Sequence, residues 1–300
     1  MFTNILVPLD GSKLGETVVP VAAILAHLSG AKVTLVHVIE KNAPKQIHRE
    51  RHLTDPGEAQ AYLEEIANTS FTTETKVVWH VHASLVQDVA RSIVDHGEEL
   101  QYDLVLMCTH GRSTARNWLF GSIAQQVIRL GQTPVLIIQP LADGSAPGFA
   151  CRKILVPLDG KKEHEQGLPL AVEIAKACKS IVHLLMVVPT YGTLAGESAA
   201  TGKLLPGATA AVLDLAVLGG EEYLRSHLEA FQGSGLEVMA EVARGDPAGT
   251  IVKVAAEGQV DLIVLGTHGK SGTEAFWSGS VPPKVSSQSR IPLLLVPVSD

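Results

Sequence analysis

The hydrophobic pattern of the chain alternates short apolar runs with longer amphipathic segments. In the first half, the apolar runs are ILVPL, KVTLVHVI, DLVLM and PVLIIQP, and segments such as ETVVPVAAILAHL and GSIAQQVIRL stand between them. Short, nearly continuous apolar runs are typical of strands that are buried on both faces, and the longer segments are typical of helices. The pattern therefore predicts an α/β fold with a doubly wound, parallel, Rossmann-like sheet.

The whole pattern occurs twice. NILVPLDGS, from Asn4 to Ser12, recurs as KILVPLDGK, from Lys153 to Lys161, and PVLIIQP recurs as PLLLVPV near the end of the second half. Residues 140–151 are rich in Pro, Gly, Ala and Ser without hydrophobic periodicity, as expected of a linker. We therefore predict two domains, residues 1–140 and 152–300, each close to the commonest domain size of about 150 residues.

The last apolar strand of each half would be an exposed sheet edge if it had no partner. We expect these two strands to pack on each other, so that the tandem domains form an intramolecular pseudo-dimer. The sequence leaves open whether two such tandem chains also form a homodimer.

Composition narrows the class of protein. The chain has 300 residues, 46% of them hydrophobic, and a formal net charge of −7, so no nucleic-acid partner is expected. The N-terminal sequence has no basic leader, and no apolar run reaches the length of about 18–20 residues that crosses a bilayer. We expect no membrane partner and a cytoplasmic location. The three cysteines, Cys108, Cys151 and Cys178, are too few and too far apart for a disulfide framework and are expected to be reduced.

A repeated glycine pattern carries the chemistry. In the second half, Gly266-x-x-Gly269 is followed after nine residues by Gly279-Ser280, at the start of a predicted helix. Glycine permits close approach of the backbone to a ligand, and a helix N-terminus offers free N–H groups to phosphate oxygens. Asp159 follows the first strand of that half and could accept hydrogen bonds from ribose hydroxyls or help bind a divalent ion. Together these features favour a nucleotide-binding loop over the alternative in which the glycines only form tight turns.

Two other nucleotide chemistries fit less well. Gly269-Lys270-Ser271 matches the end of the phosphate-binding loop of kinases and ATPases, but that motif needs a glycine where Val264 stands. Nucleotide-transfer signatures of the Ser-Gly-Gly-x-Asp-Ser or His-x-Gly-His type are absent from the sequence.

These motifs, in this order, resemble the universal stress protein family in its tandem form, over nearly all of both halves. The resemblance implies a stress-response or signalling protein that binds ATP with magnesium, hydrolyses it slowly at most, and acts on an unidentified protein partner. It assigns the nucleotide contacts of the second half to Asp159, Val187, Gly266, Gly269, Gly279, Ser280 and Val281. The matching positions of a degenerate second site in the first half are Asp10, Val38, Gly111, Gly121, Ser122 and Ile123.

The first half departs from the family pattern at two places. Cys108 stands where the second half has Gly266, and His82–Ser84 stands where the second half has Gly245–Pro247. A side chain at position 108 would lie close to the ribose and would add backbone strain if the position required a positive φ. The sequence therefore predicts that the second half binds ATP and that the first half binds it weakly, with close to one ATP per chain.

Other features fit structural interpretations. His80 and His82 alternate along KVVWHVH, which favours a half-exposed edge strand. Residues 190–220 form an insertion, and its later part is predicted to be a helix. The alternative function is an interaction scaffold with vestigial pockets.

Overall fold

The computed structural model describes residues 1–43, 46–47, 50–109, 122–194, 196–268 and 281–298. The strands are β1 Asn4–Pro8, β2 Lys32–Glu40, β3 Gln46–Ile47, β4 Glu50–Arg51, β5 Val77–Val86, β6 Leu104–Cys108, β7 Val135–Ile138, β8 Lys153–Leu158, β9 Ile181–Val188, β10 Val238–Arg244, β11 Leu262–His268 and β12 Leu293–Val298. The helices are α1 Val19–Ser29, α2 Pro56–Ser70, α3 Val89–Leu100, α4 Ser122–Leu130, α5 Gly167–Cys178, α6 Gly196–Leu204, α7 Pro206–Ala230, α8 Pro247–Glu257 and α9 Val281–Gln288. Short 3-10 turns cover Gly15–Val18, Lys162–Gln166 and Tyr191–Thr193.

Ten strands form one sheet, in the order β10-β9-β8-β11-β12-β7-β6-β1-β2-β5, and β3 and β4 form a separate hairpin. Strands within each half are parallel, and the two halves have the same order. The predicted doubly wound α/β fold is confirmed. The winding reverses at β1, between β2 and β6, and again at β8, between β9 and β11, so each half has a crevice for a ligand beyond the carboxyl ends of those strands.

The two halves join through their last strands. β7 and β12 pair antiparallel, with Leu293 opposite Ile137 and Leu295 opposite Val135. All four side chains are buried. This pairing confirms the pseudo-dimer that the sequence predicted, and it covers two apolar strands that would otherwise be exposed edges.

The core consists of two layers, one on each face of the sheet. Along β1, Ile5 and Val7 belong to the layer that includes α1, and Leu6 belongs to the opposite layer. Each layer contains residues of both halves, including Leu136 and Leu294 in the first layer. The strands are therefore buried on both faces, which explains their nearly continuous apolar runs.

The helices that follow the edge strands begin in the same way in both halves. Asp88 accepts a hydrogen bond from Arg91 N at 2.9 Å before α3, and Asp246 accepts one from Gly249 N at 2.9 Å before α8. The counterpart of the turn at Gly245–Pro247 is therefore residues 87–89, and its assignment to His82–Ser84 was wrong because those residues lie within β5. The first half keeps the capping aspartate but has Gln87 and Val89 in place of the glycine and the proline; φ is +155° at Gly245.

The insertion is mostly helical, as predicted for its later part. The 3-10 turn at Tyr191–Thr193 leads to α6 and then to α7, which packs against β9 and β10. Leu213 and Leu224 are its buried apolar side chains, and Gly220 lies where a Cβ would come within 3.0 Å of Met186 Sδ. Across the residues that the structure describes, no helix combines the length and apolar character needed to span a membrane.

Candidate functional site

A cavity of about 130 Å³ lies at the reversal point of the N-terminal half. Its lining comes from the ends of β1 and β6, from β2, from the 3-10 turn after β1, and from the first turns of α3 and α4. Three predicted residues of the second site, Asp10, Val38 and Ile123, line it together. The fold therefore brings these positions to one place, beyond the carboxyl ends of the strands, as expected for a doubly wound sheet.

Asp10 supplies a carboxylate at this cavity. Its Oδ1 accepts hydrogen bonds from Ser12 N at 3.0 Å and Ser12 Oγ at 2.7 Å, which fixes the direction of the side chain. A Cβ on Gly15 would lie 2.6 Å from the same oxygen, so a side chain at position 15 would require the Asp10 carboxylate to shift.

The remaining walls are mostly apolar. Val36 and Val38 of β2, Ile93 of α3 and Met107 of β6 face the cavity, and Glu40 adds a second carboxylate at the end of β2. Apolar walls with a few placed polar groups are the usual composition of small-molecule sites.

His37 is a cavity residue that sequence analysis missed. It is buried in the middle of β2; its Nδ1 lies 2.7 Å from the Leu9 carbonyl oxygen and its Nε2 lies 3.0 Å from the Leu53 carbonyl oxygen. His52, also buried, presents its ring edge-on to His37 with centroids 6.5 Å apart. These contacts hold the segment before α2 against the cavity. The sequence signal for this residue was a histidine within the apolar run KVTLVHVI.

Cys108 forms part of the cavity wall. Its Sγ lies 3.4 Å from Thr17 Oγ1 and donates to the Thr109 carbonyl oxygen at 3.3 Å. Burial raises the pKa of the Cys108 thiol to about 11, so the side chain is a neutral thiol at physiological pH.

The backbone strain considered for Cys108 is not present. Neither Cys108 nor its counterpart Gly266 has a positive φ, since both lie in extended strands. Glycine at 266 serves another purpose: a Cβ there would lie 2.9 Å from the His164 carbonyl oxygen and 3.2 Å from Val298 Cγ2. The crowding that requires glycine is therefore specific to the C-terminal half.

In the C-terminal half, His164 contacts both Asp159 and Gly266. Asp159 Oδ1 accepts a hydrogen bond from Lys161 N at 3.1 Å, in the same turn that Asp10 forms with Ser12, and Asp159 Oδ2 accepts one from His164 Nδ1 at 2.6 Å. The predicted ribose acceptor of this half is therefore already paired.

The insertion contacts the same turn. Tyr223 of α7 donates its hydroxyl to Glu165 Oε1 at 2.6 Å, and His227 Nε2 lies 3.5 Å from that oxygen. Burial, with the Glu165 carboxylate as a second cause, raises the pKa of Tyr223. Helix α7 therefore packs its last turns beside the predicted nucleotide residues, a contact that no sequence motif indicated.

The other predicted positions are placed as follows. Val187 is half-buried in β9, and Val281 begins α9, with Pro282 and Pro283 in its first turn, where a missing N–H loses no helical hydrogen bond. Ser122 begins α4. The loop residues Gly111, Gly121, Gly269, Gly279 and Ser280 lie outside the described residues.

Comparisons with known proteins agree with this architecture. A universal stress protein of Mycolicibacterium smegmatis is 25% identical over 313 residues, which cover 98% of this chain and 96% of the relative. The universal stress protein E homolog of Haemophilus influenzae is 27% identical over 93% of this chain and 87% of its own. The crystal structure of a universal stress protein from Archaeoglobus fulgidus has the same fold, with a TM-score of 0.62 at 17% identity, covering 99% of this chain and 98% of that one.

A model of the universal stress protein family matches the chain twice, at residues 1–139 and at residues 150–297. The two matches fall on the two halves of the ten-stranded sheet. The chain therefore belongs to the universal stress protein family, with two such domains in tandem.

Proposed function

We propose that this protein binds ATP with magnesium and acts in stress response or signalling through a surface that changes with the nucleotide. The observation that carries the proposal is the N-terminal cavity. It lies at the reversal point of the sheet and gathers Asp10, Val38 and Ile123, the positions that the family pattern assigns to a nucleotide. The cytoplasm, where ATP is abundant, is the proposed location.

The chemistry of the cavity suits a nucleoside. The apolar side chains of Val36, Val38 and Met107 offer surface to a base, and the Asp10 carboxylate can accept hydrogen bonds from ribose hydroxyls. Ile123 and Ala124 place the first turn of α4 at the cavity. The N-terminal end of that helix would direct N–H groups and a partial positive charge toward phosphates.

The residues present also fit magnesium. Mg²⁺ prefers oxygen ligands and binds through one or two carboxylates together with nucleotide phosphates. Asp10 and Glu40 both place carboxylates along the cavity. Either could supply the protein ligand, with the phosphates completing the coordination.

We propose a second ATP site in the C-terminal half, formed by Asp159, Val187, Gly266 and Val281 with the loop residues Gly269, Gly279 and Ser280. A nucleotide in this site would compete with His164 for Asp159 Oδ2, because the two residues are hydrogen-bonded at 2.6 Å. The chain would then bind two nucleotides with different affinities, in place of the single tight site that the sequence alone predicted.

Titration calorimetry with ATP and Mg²⁺ on the full chain tests the proposal. We expect two binding events, of which Asp10→Ala removes one and Gly279→Val removes the other. Asp143→Ala is the matched control, because Asp143 forms the same turn with Ser145, at 3.0 Å and 2.7 Å, in the exposed linker. Wild-type protein that binds no ATP would contradict the proposal and would leave the interaction scaffold as the function.

A further inference from the structure

Three histidines meet at the outer edge of the N-terminal sheet. His80 and His82 lie on β5, and His96 lies on α3. One ring nitrogen of each lies within 4.8 Å of the others. The His96 ring centroid is 5.1 Å from that of His80 and 5.0 Å from that of His82.

The fold explains why these rings converge. β5 pairs with β2, and alternate side chains of β5 point to opposite faces, so that Val77 and Val81 pack on the side of α2. His80 and His82 therefore share the other face, which α3 crosses on its way to β6. His96 stands on α3 with its ring against both.

His96 is held in one orientation. Its Nδ1 lies 2.7 Å from the Ser92 carbonyl oxygen, one turn earlier in α3. A carbonyl can only accept, so Nδ1 carries the hydrogen and Nε2 keeps its lone pair. A second hydrogen bond of this kind, from the ring nitrogen that does not bind the ion, is the usual arrangement of metal-ligating histidines.

Burial and the neighbouring rings disfavour protonation of His80. Burial, with His96 and His82 as neighbouring positive charges when protonated, lowers the pKa of His80. Neutral imidazole is the form that ligates metals, and the lowered pKa favours that form at His80.

We propose that His80, His82 and His96 bind one divalent transition-metal ion, with zinc as the best match, and that its fourth position is open to solvent. Imidazole nitrogens suit zinc, copper and nickel, whereas magnesium and calcium prefer oxygen. Tetrahedral zinc with Zn–N bonds of ~2.0–2.1 Å places its nitrogens ~3.4 Å apart. The three nitrogens lie within 4.8 Å of one another, so rotation of His80, which is exposed, and of His82 and His96, which are half-buried, would have to close the difference.

The site is distinct from the magnesium position in the cavity but shares its wall. β5 pairs with β2 so that His80 stands beside Val36 and His82 beside Val38, both of which line the cavity. His96 follows Ile93, another lining residue, by one helical turn. A bound ion would therefore tie β5 to α3 behind the nucleotide cavity.

Zinc binding to the full-length, chelator-treated protein tests the proposal, with a chromophoric chelator as competitor. We expect one high-affinity zinc per chain, weakened at least tenfold by His82→Ala and by His96→Ala. His27→Ala is the control, because His27 is an exposed histidine on α1, away from the cluster. Cobalt in place of zinc should give visible bands of a nitrogen-ligated ion without a sulfur charge-transfer band.

A second measurement on the wild-type protein avoids any effect of substitutions on folding. Zinc should protect His80, His82 and His96 from diethyl pyrocarbonate, as read by mass spectrometry, and should leave the labelling of His27 unchanged. Zinc affinity that is the same in the His82 and His96 variants, a sulfur charge-transfer band, or equal labelling of the cluster with and without zinc would each overturn the proposal.

Discussion

His164 donates its Nδ1 hydrogen to Asp159 Oδ2 at 2.6 Å, and the backbone carbonyl oxygen of the same histidine lies 2.9 Å from the position that a Cβ on Gly266 would take. One residue thus contacts two of the predicted nucleotide positions in the C-terminal half. At the corresponding place the N-terminal half has Gly15, which packs beside Asp10 and has no side chain to pair with it. The His164 side chain therefore competes with a ligand for Asp159, and this contact has no counterpart at Gly15.

Removing that competitor should strengthen nucleotide binding in the C-terminal half. In an Asp10→Ala background, which isolates the C-terminal site, we expect His164→Ala to raise ATP affinity about two- to fivefold, equivalent to losing a partly exposed pair of ~0.4–1 kcal/mol. Calorimetry measures the change. The same substitution in an Asp159→Ala chain should have no effect, since the carboxylate is then gone. A weaker site in His164→Ala would mean that the histidine itself contacts the nucleotide.

Gly266→Ala should destabilise the fold. The added Cβ would lie 2.9 Å from the His164 carbonyl oxygen, and backbone cannot rotate away as a side chain can. We expect a loss of ~1–3 kcal/mol in the free energy of unfolding, measured in urea, as for other overpacked sites. Gly219→Ala is the matched control, because its Cβ meets nothing within 4 Å on helix α7 and alanine favours helix. Equal unfolding midpoints for Gly266→Ala and wild type would show that the turn over β11 moves freely.

The three cysteines should differ in reactivity. A hydrogen bond from Cys151 lowers the pKa of Cys178, the same hydrogen bond raises the pKa of Cys151, and burial raises the pKa of Cys108 to about 11. Because the thiolate is the nucleophile, Cys178 should react first with iodoacetamide near neutral pH. Peptide mass spectrometry over time reads the order, and Cys178→Ser should remove the fast phase. Faster labelling of Cys108 would contradict the order.

His183 should make the protein sensitive to mild acid. Its side chain on β9 is 4% exposed, and burial lowers its pKa more than the Glu241 carboxylate, 3.5 Å away, raises it. As pH falls below the unfolded value of about 6.5, the unfolded chain takes up a proton before the folded chain does, so stability is lost.

The comparison uses His183→Leu, which removes the titrating group from a buried position. Between about pH 7.5 and about pH 5.5, on either side of the ordinary histidine pKa, the urea midpoint of the wild type should fall more than that of His183→Leu. Parallel curves for the two proteins would show that His183 gains its proton equally in both states.

Part of the site was readable from sequence because it depends on short-range pattern. Asp10 and Asp159 each follow an apolar strand, and the ends of such strands meet the reversal point in any doubly wound sheet. Cys108 shows what the short-range sequence pattern could not predict. Its replacement of glycine was correctly noticed, but the reason for glycine at 266 is a carbonyl from a 3-10 turn, a contact between residues distant in sequence.

The sequence by itself determined the duplication, the alternation of strands and helices, the packing of the two terminal strands on each other and membership of the family, because periodicity and repeated motifs are local properties of a chain. The antiparallel direction of that strand pairing came from the structure. Only the tertiary structure decided that His96 lies beside His80 and His82 and that His164 pairs with Asp159. It also decided that His37 contacts the segment before α2, through the Leu53 carbonyl oxygen. Each of these contacts depends on which side chains of a helix or turn come to lie against a strand. That choice is made by packing between distant segments, and no periodicity in the chain encodes it.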